Sequence, residues 1–227
     1  MSLESAALAR VKPSATIAVT AKARLLQREG RNVIGLGAGE PDFDTPDNVK
    51  EAAIAAIRAG KTKYTDVGGI PELKATVVKQ YRQAHGLDYQ PSQVVVSNGA
   101  KHSLHNVLTV LCDPGDEVII QDPVDFLVAE SARRAGATLR FWKPDNGRFT
   151  LDGLRAALTA NTRLISVCHP HNPLGSLWSA EEVQAIADLA RERSIQLISD
   201  EVWSDVLLDG ARFTSFAQHV GNGRAHE

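Results

Sequence analysis

The chain has 227 residues and a mass of 24.5 kDa, with 25 basic and 27 acidic side chains and a formal charge of −2. Apolar residues make up 43% and charged residues 23%, the composition of a soluble globular chain long enough for one sizeable core and a small second lobe. The near-neutral balance gives no electrostatic footprint for nucleic acid or an anionic membrane, and no apolar run approaches the roughly 20 residues of a membrane span. Met1 to Pro13 carry Glu4 and no continuous apolar stretch, so no signal peptide is expected. Cys112 and Cys168 lie far apart in no metal-type spacing, and a reduced, cytoplasmic protein is the expectation.

From about residue 45 onward, helix and strand signals alternate. Thr45-Pro46-Asp47 reads as a helix start with Thr45 as N-cap, and Val49, Ala52, Ala53, Ala56 and Ile57 fall on one face before Gly60. Pro71 opens a second helix through Leu73, Val77 and Tyr81, stopped by Gly86. Val94-Val95-Val96 reads as a strand closed by Ser97-Asn98-Gly99, and Ala100, Leu104, Val107, Leu108 and Leu111 then repeat at helical spacing. Val118-Ile119-Ile120 is a strand closed by Asp122-Pro123. A helix through Phe126, Ala129 and Ala132 ends at Gly136, and Leu139 to Trp142 reads as a strand. Leu151 to Ala160 is helical and Leu164 to Cys168 a strand. Ser179 with Glu182 forms a capping box before Val183, Ile186, Ala187 and Ala190, and Ile195 to Ser199 is the last strand.

These strands are continuous apolar runs without alternation, the pattern of a sheet buried on both faces. Strand and helix in turn predict a three-layer α/β domain with a mostly parallel sheet. Ligands in such folds sit at the carboxyl ends of the strands. Those ends carry Ser97-Asn98-Gly99, Asp122-Pro123, His169 to Gly175, and Asp200-Glu201.

Gly35-Leu36-Gly37-Ala38-Gly39 lacks the dinucleotide spacing and is followed by Glu40-Pro41-Asp42 where a helix is needed. His169-Pro170-His171 has the residue types of a metal pair but no third ligand at a suitable spacing. Loop histidines shaping a turn are the simpler reading, with Cys168 an inert core thiol. Ser97-Asn98-Gly99-Ala100-Lys101 places a glycine at a helix start, where free N–H groups and the helix dipole attract phosphate; a plain strand-to-helix turn is the alternative. Asp200 directly after a strand is a cap, a surface residue, or the partner of a buried cation such as a pyridinium nitrogen. Asn172 sits in a turn and offers an amide to a ligand oxygen.

As an ordered set these segments resemble the fold-type I pyridoxal-phosphate (PLP) enzymes, specifically class I/II aminotransferases. The likeness runs from about Lys12 to Gly210. It is carried by Gly37 to Pro46, Lys63-Tyr64-Thr65 with Gly69-Ile70-Pro71-Glu72-Leu73, Asn172-Pro173-Leu174-Gly175, and Ser199-Asp200-Glu201. The first two segments look like aspartate aminotransferases, whereas His169 to Asp205 is closer to the cystathionine β-lyase-like branch. The resemblance implies an N-terminal arm and part of a small domain over 1–45, a partial PLP-binding large domain over 46–210, and an irregular tail over 211–227.

The same resemblance implies roles. Gly99, Ala100 and Lys101 hold the coenzyme phosphate, and Tyr64 reaches the phosphate of a neighbouring subunit, so a homodimer is expected. Asn172 donates to the phenolic oxygen, across a cis bond to Pro173. Asp200 pairs with the pyridine nitrogen, and Gly39 lies against the substrate carboxylate. Substrates are an amino acid and a 2-oxo acid; a carbon–sulfur β-lyase on the same fold, or an inactive fragment that only associates with a full-length subunit, are the alternatives.

Three departures from the family pattern stand out. Val124 or Asp125 occupies the place of the aromatic ring that covers the coenzyme, with only Phe126 near. Trp203 replaces a tyrosine that binds the phenolic oxygen. The Schiff-base lysine, expected beyond Asp200 in a Ser-x-x-Lys segment, is absent, since the last lysine is Lys143; Lys101 belongs to the phosphate end with its side chain expected in solvent. The family sheet has seven strands and this chain supplies five, leaving the Val94 strand beside a gap. A marginal, aggregation-prone chain is therefore the expectation, and the Gly221 to Glu227 tail, without a core pattern, reads as a C-terminal truncation or an altered reading frame.

Overall fold

A computed structural model describes residues 15–37, 39 and 41–219. Ala38 and Glu40 of the glycine-rich motif, and residues 220–227 of the tail expected to be irregular over 211–227, lie outside the described residues; in the described part of that tail Phe216–Gln218 is a 3-10 turn and Phe216 is buried in the core. The described residues divide into two units, one up to residue 67 and one from residue 68 to 219.

In the unit spanning 12–67, α1 (Ala15–Arg28) was not anticipated from the sequence, and α2 (Asp47–Arg58) was. Gly37 packs tightly on α1: a Cβ there would stand 3.1 Å from the Thr20 hydroxyl. Thr45 does not cap α2. The N-cap is Pro46, without a side-chain hydrogen bond, because proline at the boundary has already set the backbone. The apolar face of α2 is exposed, Val49 and Ile57 included.

In the second unit, α3 (Pro71–His85) is followed by α4 (Ala100–Leu111), then β1 (Glu117–Gln121), α5 (Phe126–Ala135), β2 (Thr138–Trp142), α6 (Leu151–Ala157), β3 (Thr162–Cys168), α7 (Ala180–Glu192) and β4 (Gln196–Asp200). Gly86 and Gly136 end α3 and α5 in the left-handed conformation, as their positions predict. Helix α6 stops three residues short of Ala160, at Ala157. Ser179 and Glu182 form the expected capping box on α7.

The sheet has four strands in the order β2-β1-β3-β4, all pairings parallel. Val94 to Val96 is not a fifth strand. Its backbone is extended, but among the described residues Val96 N bonds only the Gly68 carbonyl, at 2.9 Å. An apolar run becomes a strand only beside a partner backbone, and the free edge of β4 is not paired with it. Side chains on the two faces of the sheet feed two cores. Val118, Ile120 and Leu164 pack with Leu104 and Leu108 of α4 and Val128 and Ala132 of α5. Ile119, Ile165 and Val167 pack with Leu154 of α6, Val183 and Ile186 of α7, and the aromatic rings of Trp142, Phe149, Trp178 and Phe216. Each fully buried branched or aromatic side chain contributes about 1.5–3 kcal/mol. These two apolar layers fix the sheet and so the positions of the strand ends.

Candidate functional site

The carboxyl ends of β1, β3 and β4 and the start of α4 enclose a cavity of about 430 Å³. Gly99, Ala100 and Lys101 line it from the helix, Asp125 from the start of α5, Cys168 and Asn172 from the loop after β3, and Asp200 and Trp203 from β4 and the turn beyond. Six of the residues expected at a coenzyme are thus brought together. Phe126 is not among the lining residues; its ring instead lies 5.4 Å from the Lys101 ammonium. Tyr64 and Gly39 belong to the unit spanning 12–67, where Tyr64 is fully exposed and nothing lies within 4 Å of a Cβ built on Gly39.

Gly99 has φ +80°, so a side chain there is strained even though the space beside it is open. Its own N–H turns back to the Ser97 carbonyl at 2.9 Å. The amides of Ala100 and Lys101 have no acceptor among the described residues, and with the α4 dipole they form an anion cup.

Asp200 is half-buried, and its Oδ1 accepts the Val202 amide at 3.2 Å. Its Oδ2 has no hydrogen-bond donor among the described residues. Burial, and secondarily the negative charge of Asp125, push this carboxyl above its ordinary range, while the Val202 amide pulls the other way. A carboxylate so placed gains from a cation in the cavity.

Lys101 is exposed, as the sequence suggested, and is also ion-paired. Its Nζ stands 3.0 Å from Asp125 Oδ2, and Asp125 Oδ1 accepts the Leu127 amide at 2.9 Å as the N-cap of α5. Asn172 follows the two histidines, and its bond to Pro173 is cis, as are Asp122–Pro123 and His169–Pro170. The histidines shape the loop: His171 Nδ1 accepts the Leu174 amide at 3.3 Å, and no metal-binding cluster exists among the described residues. Cys168 is half-buried, its thiol pushed up to about 11 by burial, with Sγ donating to the Pro170 carbonyl at 3.3 Å.

Two supports escaped the sequence. Gln121 is fully buried and its Oε1 accepts the Cys168 amide at 2.7 Å, tying the tips of β1 and β3. Glu201 accepts hydrogen bonds from Ser199 Oγ, Ser215 Oγ and the Phe216 amide at 2.9, 2.7 and 2.9 Å. Asp125 before an apolar helical run is a legible N-cap; its pairing with Lys101 joins residues 24 apart and leaves no local signal. A second cavity, of about 650 Å³, runs along the outer edge of β4 between Ile198, Asp200 and the Tyr81 and Leu104 side chains.

Residues 31–225 match the family described as aminotransferase class I and II. The chain belongs to this aminotransferase family. It is 39% identical to the aspartate aminotransferase of Geobacillus stearothermophilus over 214 residues, covering 93% of this chain and 54% of the relative. It is 44% identical to the aspartate/prephenate aminotransferase of Cereibacter sphaeroides over 222 residues, covering 96% and 56%. The structure of Thermus thermophilus aspartate aminotransferase with maleate superposes with a TM-score of 0.92 at 39% identity, over 97% of this chain and 58% of that one. The chain therefore spans about half the length of the curated relatives it matches. Aminotransferases of this family depend on PLP. The free amides of Ala100 and Lys101 suit its phosphate, and the Asp200 oxygen without a donor suits a protonated ring nitrogen. No helix among the described residues is long and apolar enough to cross a membrane.

Proposed function

We propose that the chain carries part of the coenzyme site of a PLP-dependent aminotransferase, which moves an amino group between an amino acid and a 2-oxo acid. The observation that carries this reading is Asp200, a half-buried carboxylate with one oxygen free of donors among the described residues, on the wall of a cavity also lined by Ala100 and Lys101 with their two free amides. PLP, when bound, supplies an electron sink for the charge left as the substrate Cα–H bond breaks. Asp200 holds a proton on the ring nitrogen, which is the largest electronic contribution these residues make. The Ala100 and Lys101 amides, with Gly99 setting the turn, hold the phosphate. Asn172 donates to the phenolic oxygen, and Trp203, which lines the same cavity, carries a donor N–H with a different reach from the family tyrosine. Gly39 approaches the substrate carboxylate, and Tyr64 reaches the phosphate of a second copy in a homodimer.

Among the described residues Lys101 is the only amine lining the cavity, and it is ion-paired with Asp125. These residues therefore bind and orient coenzyme without supplying the Schiff-base lysine. Relatives named aspartate and aspartate/prephenate aminotransferase support a dicarboxylic amino donor.

Titration of the 227-residue chain with PLP, followed by tryptophan fluorescence and coenzyme absorbance, tests the reading. Saturable binding is expected, competed by inorganic phosphate and weakened at least about tenfold in Asp200→Ala. Borohydride reduction and mass spectrometry are expected to leave every lysine unmodified. Binding indifferent to phosphate and to Asp200→Ala overturns the proposal. Pyruvate and ammonia formed without a 2-oxo acid, by a longer relative with the lysine, moves it to the carbon–sulfur lyase.

A further inference from the structure

Of the two residues that share the place where the sequence resemblance implies an aromatic ring, Val124 and Asp125, the second is a carboxylate tied in two directions. Asp125 Oδ1 accepts the Leu127 amide at 2.9 Å, and Oδ2 lies 3.0 Å from Lys101 Nζ. The first contact fixes the carboxylate as the N-cap of α5, and the second binds it to the helix turn that forms the anion cup. Asp125 and Asp200 line the same cavity. Within that cavity the Asp125 charge adds to the burial that raises the Asp200 carboxyl.

We infer that Asp125 sets the charge of the ring this cavity accepts. Together with Lys101 it forms a fixed dipole whose cation belongs to the phosphate end and whose anion, with Asp200, favours a positively charged heterocycle over a neutral one of the same shape. This rests on the coenzyme reading above and adds a determinant to it. An aromatic side chain at this position would hold a ring through dispersion and would discriminate weakly between charged and neutral rings of one shape. A carboxylate contributes little stacking but discriminates by charge, and the field of an ion a few ångströms away in a half-enclosed cavity remains strong. Lys101 tempers the effect, because its ammonium cancels part of the Asp125 field. The two residues therefore have opposite signatures.

The test compares the dissociation constants of PLP and of its analogue with CH in place of the ring nitrogen. Calorimetry or tryptophan fluorescence reads both at neutral pH, with no turnover needed. Asp125→Asn keeps an N-cap of equal quality and removes the charge, so α5 is preserved. The wild-type chain is expected to prefer PLP over the neutral analogue. Asp125→Asn is expected to cut that preference by about three- to tenfold, with inorganic phosphate bound no more weakly. Asp125→Glu is expected to restore most of it, and Lys101→Met to increase it. Asp200→Asn is the internal reference. If it abolishes the preference while Asp125→Asn leaves it untouched, the coenzyme reading stands and this inference falls. If the wild-type chain binds the two ligands equally, both fall.

Discussion

The imidazole of His169 lies stacked on the indole of Trp178, ring centroids 5.2 Å apart and planes 24° from parallel. Phe213 and Phe216 close the other sides, and His169 is 1% exposed with its Nε2 lacking any partner among the described residues. Burial pulls its pKa down to about 4, against the opposing effects of the Thr214 backbone and of Glu182. The folded pKa thus lies below the unfolded value of 6.5. The neutral ring's contribution to stability is complete above about pH 6.5 and is lost as pH falls from there through 4, to a total of about 3 kcal/mol. His171, shifted down by burial as well, adds to the same loss. Urea midpoints measured between pH 7.5 and 4 are expected to fall steeply, and His169→Phe, which keeps the stack and removes the titration, is expected to flatten the slope. An unchanged slope in that variant refutes the assignment.

Asp200 has the opposite sign. Its folded pKa is raised, first by burial and then by Asp125, so the ionised form weighs against folding once pH rises above the ordinary carboxyl range. Asp200→Asn is expected to raise the melting temperature of the ligand-free chain at pH 7, with the gain vanishing at pH 3, while weakening PLP binding. Melting curves at the two pH values check this, and a variant less stable at pH 7 contradicts it.

Glu201 stands next in sequence and does different work. Its two oxygens gather the Ser199 and Ser215 hydroxyls and the Phe216 amide, which fastens the segment around the fully buried Ser215 to the end of β4. Glu201→Gln leaves at least one of these donors facing an amide nitrogen and is expected to cost about 1–3 kcal/mol in equilibrium denaturation.

Gly69 has φ +101°, and a Cβ there would fall 2.5 Å from Val96 Cγ2. Gly69→Ala is expected to destabilise the chain by at least about 1 kcal/mol from backbone strain alone, before Val96 is displaced. Thermal denaturation that shows no loss is inconsistent with this packing.

The three-layer arrangement and the strand-end cluster were legible because they depend on local signals: apolar runs, capping residues and terminal glycines. Ser179 with Glu182 and the glycines 86 and 136 act within their own helices, so sequence places them closely. Val94 to Val96 misled because three valines report an apolar environment, whereas a strand also needs a neighbour to bond. Helix α1 escaped although Ser14 before it and Gly30 after it are start and stop signals in the sequence. At the candidate site, Asp200, Asn172 and the turn at Gly99 could be named from spacing. The Lys101–Asp125 pair and the Gln121–Cys168 bond join distant segments, and only the folded chain brings them together.

The bond from the Cys168 amide to Gln121 makes the two sides of the candidate cavity unequal in stiffness. On the sheet side, that amide is locked beneath a fully buried glutamine, and solvent deuterium is expected to reach it only through large-scale opening. On the helix side, the Ala100 and Lys101 amides are already bare and are expected to trade hydrogen within seconds. Admission of a phosphate ester then asks nothing of the β-strand tips. The yielding rim is the first turn of α4, and slowing of exchange at those two amides is the footprint that an arriving ligand would leave.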